Sequence, residues 1–154
     1  MHINQSDTLI LSKFDIVDVL AKRKSQSTHD SMVSALVGFL MANNYHTVKA
    51  DLPKLNQTKF APIFLSPEQT LYCPNTKKGQ KPDASAEKNN QKYIFEVETE
   101  DSINDAHTKS QWELFSINAK QHKKEFIICV PKDYELLAQL RIIDLNIQAS
   151  VWTI

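Results

Sequence analysis

Glu96, Glu98, Glu100 and Asp101 fall within six positions, and Asp83 precedes Glu96 with twelve residues between them. Carboxylates crowded together repel one another and resist desolvation unless a counter-charge relieves them. A hard divalent cation does so, and Mg²⁺ asks for only one or two carboxylates beside waters and phosphate oxygens. The chemistry in view is metal-assisted hydrolysis of a phosphate ester. The competing explanation is a solvated sheet edge, where acids deter unwanted strand pairing. For Glu96 and Glu98 taken alone, that plainer explanation is favoured.

Position decides between them, and position is set by the elements. Over residues 92–99 the odd positions Tyr93, Phe95 and Val97 form an apolar set fit for a core. The even positions are Ile94, Glu96 and Glu98. In a strand, alternate residues share a face, so both glutamates project together, roughly 7 Å apart at Cα. Asn89-Asn90 predicts a hairpin turn, which would fold Asp83 back beside them. The Val97 backbone carbonyl adds one more oxygen. The predicted metal set is Asp83, Glu96, Val97 (carbonyl) and Glu98, and the predicted ion is Mg²⁺ or Mn²⁺.

The rest of the chain reads as alternating elements. FDIVDVLAKR (14–23) has helical spacing and predicts a short helix. A second helix is predicted after the caps Ser27 and Thr28, with Asp30 in its first turn and a stripe of Met32, Ala35, Leu36, Phe39 and Leu40. HTVKAD (46–51) alternates as a strand and Pro53 ends it. Residues 52–69 hold three prolines and predict an irregular excursion. A hairpin follows over residues 82–99, then a helix from Ser102–Asp105 to about Gln121. EFIICVP is a strand, DYELLAQLRII a helix, and IQASVWTI a final strand. This order predicts an α/β fold, one mixed sheet with a central hairpin flanked by helices. A single domain is expected over 1–154, with a core of about 28–152 and an N-terminal helical extension at 1–26.

Composition narrows the function classes. Of 154 residues, 42% are hydrophobic and 23% charged, with zero formal net charge, as in an ordinary soluble domain. Only Gly38 and Gly79 are glycines, which excludes a glycine-rich phosphate loop or dinucleotide fingerprint. Neutrality argues against a DNA-coating protein. The charges are nevertheless uneven: residues 52–95 carry seven lysines against three acids, and residues 96–154 ten acids against six basic residues. No stretch approaches the ~20 apolar residues of a membrane span. MHINQSDT lacks a secretion signal, and Cys73 and Cys129 are isolated, so a cytoplasmic protein with reduced thiols is expected.

Pro82-Asp83, the twelve-residue spacing and Glu96-Val97-Glu98 after an apolar strand, followed by helix, strand and helix, resemble the PD-(D/E)XK nuclease superfamily. The likeness spans residues 28–152 in element order, but only Asp83, Glu96 and the third position in motif. That third position is lysine in the family's usual pattern and Glu98 here, a place where some restriction enzymes of the superfamily also carry Glu. Glutamate cannot hold a phosphate as lysine does; it can accept a proton or hold a second metal. Lys81, Lys92 and Lys109 are the weighed substitutes for the missing cation, Lys109 a poor one on the helix's outward stripe. The resemblance implies a catalytic set of Asp83, Glu96, Glu98, Gln111 and His107. His107 and Gln111, four apart on one helix face, would line the cleft and bond a carboxylate or phosphate. The plainer account makes them boundary residues bonded to local backbone. Implied partners are nucleic acid, DNA before RNA, and a second copy of the chain, with no membrane. Loss of the lysine leaves open an inactive nuclease-fold protein that binds nucleic acid or protein.

Overall fold

The computed structural model describes residues 13–52, 71–72 and 79–154. In chain order these form helix α1 (Lys13–Ala42), strand β1 (His46–Ala50) and the short strands β2 (Leu71–Tyr72) and β3 (Gly79–Gln80). The hairpin β4 (Ala84–Lys88) and β5 (Gln91–Val97) follows, then helix α2 (Ala106–Gln121), strand β6 (Lys124–Val130), helix α3 (Glu135–Asp144) and strand β7 (Ser150–Thr153). The fold is mixed α/β. Its five-stranded sheet has the order β1-β4-β5-β6-β7, with β2 and β3 paired separately. β4 runs antiparallel to β1 and β5, whereas β6 runs parallel to β5 and β7.

Side-chain alternation along β5 splits the core in two. Phe95 and Val97 join Met32, Val33, Leu36, Val37 and Leu40 of α1 in one buried cluster. Ile94 joins Trp112 and Phe115 of α2 and Ala138 and Ile142 of α3 in the other. One sheet therefore lies between α1 and the α2/α3 pair, and the Ile94 face is the one that carries Glu96 and Glu98. The hairpin turn is Asn89-Asn90, with φ of 52° and 63°. These left-handed values suit a two-residue turn between twisted strands, and Asn tolerates them better than other side chains.

Three expectations are corrected. The two helices expected over 14–23 and 28–42 are one continuous helix of 30 residues, which runs through the expected boundary at 26–28. Thr28 does not cap it: its hydroxyl donates to the Lys24 carbonyl at 2.9 Å, four residues back within the helix. Asp30 likewise sits mid-helix and accepts from Gln26 at 3.0 Å. The buried stripe of α1 is turned from the expected one, since Val33 and Val37 are fully buried while Phe39 is 50% exposed and packs edge-on to Trp152. Finally, α2 begins at Ala106 rather than near Ser102, with Asp105 as its cap, accepting from the His107 backbone N–H at 3.2 Å. Beyond Leu52, the excursion expected at 52–69 lies outside the described residues, as do Cys73, Lys54, Lys59, Lys77 and Lys78.

Candidate functional site

The hairpin register places Ala84 opposite Phe95, so Asp83, one residue earlier, lies beside Glu96. The backbone N–H of Asp83 donates to Glu96 Oε2 at 3.2 Å. In return, Asp83 Oδ2 accepts the Val97 N–H at 2.8 Å. Glu98 follows as the first residue past β5, and its N–H continues the ladder to the Cys129 carbonyl at 2.9 Å. All three acids open on one cleft of about 490 Å³, shared with Ser25, Gln26 and His29 of α1 and with His107, Thr108 and Gln111 of α2. The cleft sits at the C-terminal end of β5, between residues of α1 and α2.

Burial governs the charge state. Glu96 and Glu98 are 3% and 4% exposed. Desolvation, with the charges of Asp83 and Glu98 adding to it, drives the Glu96 carboxyl well above its usual range. Glu98 is pushed up to about 7, mainly by burial, with the hydrogen bonds from Ser102 and Trp112 working against it. Its Oε1 accepts the Trp112 indole N–H at 2.9 Å, and its Oε2 accepts the hydroxyls of Ser102 and, at 3.5 Å, Thr108. Glu98 is thereby fastened to α2 and to the turn that precedes it.

Residues that the sequence did not single out complete the site. His29 reaches from α1 to put Nε2 3.1 Å from Asp83 Oδ2. Burial alone would lower its pKa; the hydrogen bond and charge of Asp83, then the nearby Asp30 carboxylate, overcome this and raise it to about 9. A cation thus faces the acids from a helix 54 residues away in sequence. The Ser25 hydroxyl lies 3.2 Å from that of Thr99 and ties α1 to the other lip. Of the lysines weighed as substitutes, Lys81 lines the cleft. Lys92 is at the far end of β5, 3.9 Å from Glu87, and Lys109 pairs with Glu113 on the outside of α2 at 4.0 Å. His107 is exposed and Gln111 half-buried at the cleft wall, and neither side chain bonds a carboxylate of a described residue; Thr108 and Trp112, each one residue further along α2, do so instead.

The donor set fits a divalent cation in charge. The charge of Asp83 raises the proton affinity of both buried glutamates, and a 2+ ion offsets that repulsion. In number the fit is partial: among the described residues, no group of three or more His, Cys, Asp or Glu side chains is arranged to hold a metal ion by itself. Mg²⁺ completes its octahedron with waters and substrate oxygens, so an incomplete protein shell is compatible with it. No described helix is long and apolar enough to cross a membrane. Comparison with protein-family models, with curated proteins and with solved structures finds no match to the chain, so the site stands on its own geometry.

Proposed function

We propose that this chain is a metal-dependent nuclease of the PD-(D/E)XK type, hydrolysing phosphodiester bonds of nucleic acid, DNA before RNA. The observation that carries the reading is the meeting of Asp83, Glu96 and Glu98 at one open cleft, two of them nearly inaccessible to water. Asp83 and Glu96 would hold Mg²⁺ or Mn²⁺, with the Val97 carbonyl at the same lip. A bound ion would supply Lewis-acid polarisation of the phosphodiester and a water acidified toward neutral pH.

The chain's own residues do the remaining work. His29 and Lys81 bring positive charge to the cleft that the motif lysine would otherwise provide. Gln111 and His107, on the α2 wall of the cleft, would meet a substrate phosphate. Glu98 is held by α2 on both oxygens, which suits it to fixing the shape of the site better than to shuttling a proton. A second copy of the chain would let both strands of a duplex be cut.

That same anchoring favours one alternative: a catalytically inactive nuclease-fold module that binds nucleic acid or protein. Isothermal titration with Mn²⁺ separates the two, run on wild type, Asp83→Ala and Glu96→Ala beside cleavage of plasmid and single-stranded DNA. The nuclease reading expects binding and Mn²⁺-dependent cleavage, both lost in either variant. Nucleic-acid binding without cleavage by the wild type would favour the inactive module.

A further inference from the structure

We infer that His29 is a positioning residue for Asp83, fixing which carboxylate oxygen Asp83 presents to the cleft. The inference rests on the reading of Asp83 as a metal ligand. Asp83 sits in a bend just before β4, and its backbone is tied on both sides, its carbonyl accepting from Asp51 N–H at 3.0 Å and its N–H donating to Glu96. A carboxylate held by one donor can still turn about its Cβ–Cγ bond and exchange its oxygens. Asp83 Oδ2 has two partners arriving from different layers: the Val97 N–H from β5 at 2.8 Å and His29 Nε2 from α1 at 3.1 Å. Oδ1 takes no hydrogen bond from a described residue and is left for the cleft.

His29 is itself held. Its Nδ1 is buried without a hydrogen-bond partner among the described residues and lies 3.5 Å from Asp30 Oδ1, an electrostatic contact. Gln26 Nε2 donates to that same Asp30 oxygen at 3.0 Å. The result is a line from Gln26 through Asp30 and His29 to Asp83, three of its members within residues 26–30 of α1. Outer partners of this kind orient ligand carboxylates, and removing one typically costs about 10–100-fold in metal affinity or activity.

The test uses His29→Leu, which keeps bulk and removes the donor, and His29→Gln, whose amide N–H can reach the same oxygen. Two readouts are taken on the full chain: Mn²⁺ affinity by isothermal titration, and exchange of the Val97 backbone amide by NMR in metal-free protein. The expected result for His29→Leu is a loss of about 10–100-fold in affinity and clearly faster Val97 exchange. His29→Gln should recover both to near wild type, while the melting midpoints of the two variants stay close. Equal losses in both variants, or Val97 exchange unaltered by His29→Leu, would overturn the positioning role. Wild-type protein that binds no Mn²⁺ would sink the metal reading instead; the Val97 arm then decides alone whether His29 orients Asp83.

Discussion

Glu98 holds the sharpest conflict at the level of a single residue. It stands where the motif's lysine would be, is nearly fully buried, and has its carboxyl pushed up to about 7. Above that pH the folded chain carries a buried charge that the unfolded chain would hydrate. Glu98→Gln removes the charge while leaving an acceptor for the Trp112 indole. It should stabilise metal-free protein at pH 8 by roughly 2–3 kcal/mol, since each tenfold change in proton affinity is worth about 1.4 kcal/mol. Trp112→Phe instead strips the donor from Glu98 Oε1 and leaves a small void, and should cost about 2–4 kcal/mol. Urea unfolding of both variants at pH 8 checks the pair; a destabilised Glu98→Gln would mean that the charge itself is needed by the fold. The partnership with Trp112 was not legible in the sequence. Trp112 is a core residue, and only the docking of α2 aims its N–H at Glu98.

At the level of elements, the β4–β5 hairpin does the most to build the site. Its turn must be two residues long, because one residue more or less would send Asp83 to the wrong face. Asn89 and Asn90 both adopt left-handed φ, the requirement of a primed hairpin turn, for which Asn-Gly is the preferred pair. Asn90→Gly should therefore stabilise the protein by about 0.5–1 kcal/mol, seen as a higher urea midpoint with unchanged slope. A change in slope or in Mn²⁺ affinity would indicate a shifted register. The hairpin was legible because its cues are local: paired asparagines and a strand that alternates from Phe95 to Glu98. The span of α1 was not. Ser27 and Thr28 resemble a start signal, yet inside a long helix a hydroxyl can bond the carbonyl four residues back, and tertiary contacts carry the helix through.

For the whole molecule, the balance of charge across the cleft makes stability depend on pH with one sign. Glu98, with a folded value near 7 against 4.5, contributes stability that is complete below 4.5 and lost as pH rises through 7. Glu96, raised well above its usual range by burial and its acidic neighbours, acts in the same direction. His29, raised from 6.5 to about 9, contributes stability complete below 6.5 and lost as pH climbs through 9. Metal-free protein should thus melt at progressively lower temperature from pH 5 to pH 9. Millimolar Mn²⁺ should restore more of the loss at the alkaline end, since binding to the folded state alone raises stability. Calorimetry across that range, with and without Mn²⁺, checks both statements. A melting temperature that is flat or rising with pH would show that these groups do not share a buried site.

What the sequence determined by itself is what short-range chemistry encodes. The alternation in residues 92–99, the Asn-Asn turn and the spacing from Asp83 to Glu96 specify a hairpin that gathers carboxylates. The order of strands and helices likewise announces a mixed sheet between helical layers. Tertiary structure decided what depends on distant segments meeting. It set the turn of α1 that buries Val33 and Val37, and the approach of His29 to Asp83 across 54 positions. It also set the seating of α2 that gives Glu98 to Trp112 and Thr108 in place of His107 and Gln111. A rotation of one residue about a helix axis turns a side chain by about 100°, and packing against the sheet, rather than periodicity, fixes that angle.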